Sequence, residues 1–143
     1  MRCRCCAGTV NRTQGSCNTR EPPCVIDSDW GPAVVAHAAQ DAAGSLKVLV
    51  VQKSLEAVAA VDVRVCVANF AAAAAEARWE PLTAPAGAGA KTGISFGGVT
   101  FDGSTDGLPR GVAKPQPVPR QSVGGKACYD LVVPPLSAGL LTL

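Results

Sequence analysis

Residues 93–107 read GISFGGVTFDGSTDG, and this stretch decides the fold class that the sequence predicts. Apolar residues alternate on both sides of Gly97-Gly98, which indicates two short strands joined by a tight turn. Asp102-Gly103 and Asp106-Gly107 then carry turn chemistry, because an Asp side chain can bond its own backbone and the Gly accepts a positive φ. The stretch predicts a β-domain with glycine corners.

Strand patterns continue on both sides of this stretch. Val61–Val67 alternates strictly between apolar and other residues, which is typical of a strand with one buried face. Further strands are predicted at Val34–Ala39, Leu46–Lys53, Glu76–Leu82, Lys126–Val133 and Ala138–Leu143. The alanines at 71–75 leave one helical turn as the alternative to a loop. About eight short strands separated by turns predict an all-β, antiparallel β-sandwich.

Residues 1–24 differ in texture from the β-sandwich predicted over residues 25–143. They are polar and aperiodic, and they contain five of the seven cysteines: Cys3, Cys5, Cys6, Cys17 and Cys24. These cysteines could form a zinc site or a disulfide knot, but they do not make two C-x-x-C pairs and no His is near them. We therefore predict an irregular tail over residues 1–24, with no metal ligand. An odd number of cysteines also leaves at least one thiol unpaired.

Several functional classes are disfavoured by composition. The net charge is +2, and the basic residues are scattered rather than interleaved with aromatics, so we predict no nucleic-acid partner. No apolar run follows Met1 as a secretory signal would require, and no stretch of about 18 apolar residues predicts a membrane span. No glycine-rich phosphate loop is present, so no cofactor is predicted.

Candidate catalytic and binding residues are few. His37 is the single histidine and lies in an Ala/Val strand, and turn formation explains Asp102 and Asp106 better than catalysis does. We therefore predict no catalytic residue. Three large aromatics could stack on a sugar or could anchor the core, and their scarcity in the chain favours the core: Trp30, Trp79 and Tyr129.

Four segments resemble the C-terminal β-domain of glycoside hydrolase family 79, the β-glucuronidase and heparanase-like group of clan A. They are residues 46–55, with a strand ending in a Lys; residues 79–85, which look like the strand before a long loop; residues 97–107, which match GG-x-T-F-D-G-S-T-D-G; and residues 129–143, which are similar to the last two strands. The resemblance covers residues 25–143.

The resemblance implies a non-catalytic β-sandwich that supports a catalytic (α/β)8 barrel acting on glucuronide-type or related polysaccharides. A barrel needs about 250 residues, so it is absent from this chain, which is then a fragment of such an enzyme. The family's catalytic glutamates lie on the barrel, and none can be assigned here. The family resemblance also implies an extracellular location, although the chain shows no signal peptide.

Two alternatives stay open, a free-standing carbohydrate-binding module and a structural or adhesive β-domain. The strand at Leu46–Val51 is apolar on both faces, whereas a sandwich core covers only one of them. We therefore expect an exposed apolar patch, where the barrel would pack, and self-association of the lone domain.

Overall fold

The computed structural model describes residues 2–4, 24–27, 33–54, 59–68 and 75–143 of the 143-residue chain. Thirteen strands lie in these ranges, and a 3₁₀ turn is formed at Gly87–Gly89. The strands are β1 Arg2–Arg4, β2 Cys24–Asp27, β3 Val34–Gln40, β4 Leu46–Gln52, β5 Val61–Val67, β6 Glu76–Thr83, β7 Ser95–Phe96, β8 Val99–Thr100, β9 Arg110–Gly111, β10 Gln116–Pro119, β11 Gln121–Val123, β12 Lys126–Val133 and β13 Ser137–Thr142.

The strands form two antiparallel sheets. The larger sheet has eight strands in the order β3-β4-β13-β6-β7-β8-β9, with β10 paired to the first half of β6. The smaller sheet has five strands in the order β1-β2-β5-β12-β11. The all-β antiparallel sandwich predicted from the sequence is confirmed, with more and shorter strands than expected.

A single apolar core lies between the sheets. Alternation places Val63, Val65 and Val67 of β5 on the inner face of the smaller sheet, where each is at most 2% exposed. The inner face of the larger sheet carries three fully buried residues of β4, which are Leu46, Val48 and Val50. Both sets belong to one buried cluster, so the hydrophobic effect holds the two sheets face to face.

Trp79 and Gly139 pack closely in this core. Gly139 of β13 stands between Val50 of β4 and Pro81 of β6 in the register, and the Trp79 indole lies against it. A side chain at position 139 would meet the indole carbons, so the absence of a Cβ makes room for the largest core side chain of β6.

Two hairpins turn on paired glycines. Gly97 and Gly98, between β7 and β8, have φ angles of 56° and 90°. Gly124 and Gly125, between β11 and β12, have φ angles of 56° and 76°. Two-residue hairpin turns of the favoured type need positive φ at both positions, which side chains disfavour. The tight turn predicted at Gly97-Gly98 is thereby confirmed.

A disulfide joins Cys66 of β5 to Cys128 of β12. The two residues are directly opposite each other in the β5/β12 pairing, with 4.0 Å between their Cα atoms and 62 residues between them in sequence. Both cysteines are buried, although they lie on the outer face of the sheet, which they share with the exposed Arg64 and Asp130. The bond therefore ties the middle of the smaller sheet together outside the core.

Three regions bear on the expectations for loops and tails. Within the segment expected to be irregular, Arg2–Arg4 forms β1 and pairs with β2, which pairs with β5. Residues 5–23 lie outside the described residues, as do residues 71–74 of the alanine run. The strand predicted from Glu76 is confirmed as β6. The proline-containing segment Gln116–Pro119 forms the edge strand β10.

Candidate functional site: the outer face of the larger sheet

A row of apolar residues crosses the face of the larger sheet that is turned away from the core. Directly opposed residues in neighbouring strands point to the same face, so the strand register defines the row. It runs through Val35, Val51, Ala138, Leu82, Phe96 and Val99, in the order β3-β4-β13-β6-β7-β8. We call these six residues the outer apolar row. They are half-buried or exposed, and Phe96 is 40% exposed.

A second row beside it is apolar at its centre and polar at its ends. His37, Leu49, Leu140 and Glu80 are opposed across β3, β4, β13 and β6. Leu49 is 38% exposed, whereas its neighbours Val48 and Val50 are fully buried. The predicted apolar filling of both faces of this strand is confirmed. Together the two rows form an apolar surface on a sheet that has no covering layer among the described residues.

Backbone hydrogen bonds fix the end of the outer apolar row that lies on β7 and β8. Gly97 N donates to Pro81 O at 2.9 Å, and Lys114 N donates to Gly97 O at 2.7 Å. The hydroxyl oxygens of Thr83 and Ser95 lie 2.8 Å apart. Phe96 is therefore held beside Leu82 by a hairpin tied on both sides, which presents the ring on a fixed backbone.

The carboxylates of Asp102 and Asp106 both accept hydrogen bonds from backbone N–H groups. A carboxylate oxygen of Asp102 accepts a hydrogen bond from Gly93 N, which joins the two ends of the loop. Asp106 Oδ1 accepts from Leu108 N at 3.0 Å and from Ser104 Oγ at 3.1 Å, and the Leu108 N–H is the largest cause holding the Asp106 pKa below its usual value. The turn role predicted for Asp106 is confirmed, whereas the Asp102 side chain bonds Gly93, nine residues before it, rather than its own turn.

Two of the three aromatics considered for sugar stacking lie in the core. Trp79 is 4% exposed and Tyr129 is fully buried, so neither presents a ring face to solvent. Burial also raises the pKa of the Tyr129 hydroxyl. Trp30 lies outside the described residues. The interpretation of Trp79 and Tyr129 as core anchors is confirmed, and the exposed aromatics of the described chain are Phe96 and Phe101.

The corresponding face of the smaller sheet is polar. Arg64 of β5 and Asp130 of β12 are directly opposed, with Arg64 Nε donating to Asp130 Oδ1 at 2.6 Å and Nη2 donating to Oδ2 at 3.0 Å. Gln121 Nε2 also donates to Asp130 at 2.8 Å. The Arg64 guanidinium holds the Asp130 pKa below its usual value. A shallow depression of about 440 Å³ lies over this pair. The charges of Arg64 and Asp130 are directed at each other.

His37 lies exposed on the outer side of β3, opposite Leu49. In the part of the chain that the structure describes, no three His, Cys, Asp or Glu side chains come together as metal ligands would. The same residues include no helix with the length and apolar character needed to cross a membrane. The arrangement of the described residues offers a surface for packing rather than a reaction centre.

Sequence reasoning identified Leu49 and Val51 on the outer face of β4 but missed the other five members of the outer apolar row. Leu82, Phe96 and Val35 become neighbours only through the strand order β3-β4-β13-β6-β7, which joins segments far apart in the sequence. The turn at residues 134–136, which leads from β12 into β13, carries no mark of that order. A search for apolar residues on the outer faces of strands would have found the residues of the outer apolar row, but it would not have shown that they lie side by side.

A scan against protein-family models, a search of curated proteins and a search of solved structures each find no match to this chain.

Proposed function

We propose that this chain is a non-catalytic β-sandwich domain that packs, through the outer apolar row, on the catalytic (α/β)8 barrel of a glycoside hydrolase similar to family 79. The outer apolar row is the observation that carries the proposal. A sheet face with Leu82 at 37% and Phe96 at 40% exposure on neighbouring strands is suited to contact with another apolar surface.

The charge pattern supports the choice of this face for docking. Charged residues flank the outer apolar row on one side: Glu80 is two residues from the row along its strand, and Lys47 and Arg78 are four residues from it along theirs. An apolar centre with a polar rim is the usual anatomy of a protein interface. On the opposite face of the sandwich, the centre of the described part of β5 and β12 is the Arg64–Asp130 pair rather than a row of apolar side chains.

The way three of the carboxylates are used supports the non-catalytic role. Glycoside hydrolysis needs two carboxyl groups that flank the scissile bond. Asp102 and Asp106 hold backbone N–H groups of their own loop, and Asp130 holds Arg64. We expect no turnover of aryl β-glucuronides by the isolated chain; turnover abolished by Asp102→Asn or Asp106→Asn would contradict the proposal.

Co-expression with a barrel tests the docking. The probe is the catalytic barrel of a family 79 β-glucuronidase produced without its own β-domain, with and without this chain. We expect the chain to co-purify with the barrel and to raise its soluble, active yield. Leu82→Ser and Phe96→Ser should each weaken co-purification at least tenfold, because each removes apolar area from the centre of the face.

Val132→Ser is the matched control. Val132 is 63% exposed on the outer side of the smaller sheet, so the same kind of change there should leave co-purification unaltered. Docking through this face would be refuted if Val132→Ser weakened co-purification equally, or if the barrel did not co-purify with the wild-type chain. Tryptophan fluorescence that responds to acidic oligosaccharides, with no barrel binding, would favour a carbohydrate-binding module instead.

A further inference from the structure

Strand β3 is an unprotected edge. It ends the larger sheet, and among the described residues it pairs with β4 alone. Its seven residues, VVAHAAQ, include no Pro, Asp, Glu, Lys or Arg. Proline, charges and short length are the usual means by which proteins prevent an edge strand from pairing with another chain. β3 uses none of them.

The hydrogen-bond pattern identifies which groups of β3 point outward. Lys53 N donates to Ala33 O at 2.8 Å, and Asp41 N donates to Ser45 O at 2.9 Å, one at each end of the β3/β4 ladder. Hydrogen-bonded and non-hydrogen-bonded pairs alternate in an antiparallel ladder, so the odd-numbered residues of β3 bond to β4. The N–H and C=O groups of the even-numbered residues therefore point away from β4, and these residues are Val34, Ala36, Ala38 and Gln40.

The other edges of the described sheets are protected. β9 has two residues, one of them Arg110, and β10 contains Pro117 and Pro119, which have no N–H to donate. β11 has three residues, and β1 has three residues of which two are arginines. Because these edges are protected and β3 is not, β3 is the edge at which a strand of another chain would pair.

We propose that β3 pairs antiparallel with β3 of a second copy of this chain, about a two-fold axis at His37. With this register Ala36 is hydrogen-bonded opposite the second copy's Ala38, and all seven residues are paired, which gives about eight backbone hydrogen bonds. The strand is suited to itself because it contains no Asp, Glu, Lys or Arg that would oppose its own copy. Ala36 and Ala38 are half-buried against the core, and the second copy would cover what remains exposed.

The geometry also sets the strength and size of the assembly. One strand pair of this length buries less than the roughly 1,200–2,000 Å² of a stable interface, so the dissociation constant should be on the order of micromolar or weaker. Each copy uses its β3 edge once, and a two-fold contact is closed. The product is a dimer in reversible equilibrium with monomer rather than a filament.

Sedimentation equilibrium and amide hydrogen exchange test the proposal together, each over a wide concentration range. We expect a monomer–dimer equilibrium. The Ala36 and Ala38 amides should exchange rapidly in dilute protein and at least tenfold more slowly in concentrated protein, whereas the His37 amide, bonded to β4, should be protected throughout. A monomer at every concentration, with Ala36 and Ala38 exchanging rapidly, would overturn the proposal.

Two variants of different kinds guard against misfolding as an explanation. Ala38→Pro removes an outward N–H without touching the β4 ladder, and His37→Lys places two like charges directly opposite each other. Both should give monomer while keeping the wild-type circular dichroism. Val112→Lys, at a residue 70% exposed outside β3, is the control and should dimerise normally.

The result is separable from the docking proposal. Leu82→Ser removes apolar area from the outer apolar row and leaves the β3 edge intact, so it should weaken barrel binding and preserve the dimer. A dimer that Leu82→Ser abolishes and Ala38→Pro leaves unchanged would show self-association through the sheet face, and would refute pairing through β3.

Discussion

Gly139→Ala should destabilise the sandwich through a steric conflict with Trp79. A Cβ at position 139 would lie 2.3 Å from two carbons of the Trp79 indole and 2.9 Å from a third, whereas ordinary contacts are 3.4–4 Å. The ring would therefore have to retreat by about 1 Å to restore ordinary contact. Trp79 is only 4% exposed, so the retreat pushes it against other buried side chains.

The magnitude follows from two opposing effects. Overpacking a filled core costs about 1–3 kcal/mol, and a conflict this close belongs at the upper end. Replacing Gly by Ala also restricts the unfolded chain, which offsets about 0.4–1 kcal/mol. We expect a net loss of about 2 kcal/mol in the free energy of unfolding, measured by urea denaturation followed by circular dichroism with the disulfide intact.

Gly89→Ala is the control for the glycine-to-alanine change itself. A Cβ at Gly89 would have no atom within 4 Å, and the residue does not have a positive φ. The free energy of unfolding of the Gly89→Ala variant should therefore stay within about 0.5 kcal/mol of wild type. Adding Trp79→Leu to Gly139→Ala should relieve the conflict, and the double variant should be more stable than the sum of the single losses predicts by about 1 kcal/mol or more. Additive losses, or a Gly139→Ala protein as stable as wild type, would refute the packing argument.

Three further predictions concern the disulfide, an ion pair and a hairpin. Replacing both Cys66 and Cys128 by Ala should lower the free energy of unfolding by about 4 kcal/mol, the chain-entropy value for a closed loop whose ends are 62 residues apart, measured by denaturation against the oxidised wild type. Asp130→Asn should destabilise at neutral pH and lose its effect in acid, because Arg64 holds the Asp130 pKa below its usual value and the stabilisation disappears as pH falls through that lowered value; parallel stability curves down to about pH 2 would contradict this. Gly98→Val should disrupt the β7–β8 hairpin, since Gly98 has a φ of 90° and its Cβ would lie 3.0 Å from Val112 O; unchanged exchange of the Gly97 amide would count against this.

Local pattern was enough to predict the elements of the core. Val61–Val67 was predicted as a strand because its period is two, and Leu46–Lys53 was predicted as a strand with apolar residues on both faces. The inner face of each strand is buried. The turn role of Asp106 was predictable because an Asp side chain acts on backbone groups within a few residues, here the Leu108 N–H two residues on. These features depend on short-range chemistry that the sequence carries directly.

Features that depend on strand order were not predictable. The opposition of Cys66 and Cys128 requires β5 and β12 to be neighbours in a known register, and a shift of one residue would place the two side chains on opposite faces. The outer apolar row likewise needs six strands in one order. The two-residue strands β7, β8 and β9 are too short for periodicity to define, because their pairing is fixed by the loops around them.

The disulfide between β5 and β12 also decides what a cut in the chain would do. The covalent ring closed by Cys66 and Cys128 encloses β6 to β11, which belong to both sheets. Lys91 and Arg110 lie exposed in this ring, so trypsin cleavage at either would open the ring and still leave one connected molecule. The nicked protein should migrate as a single species on a non-reducing gel and as two fragments after reduction. Scission there would give a two-chain protein whose halves stay covalently linked across the smaller sheet.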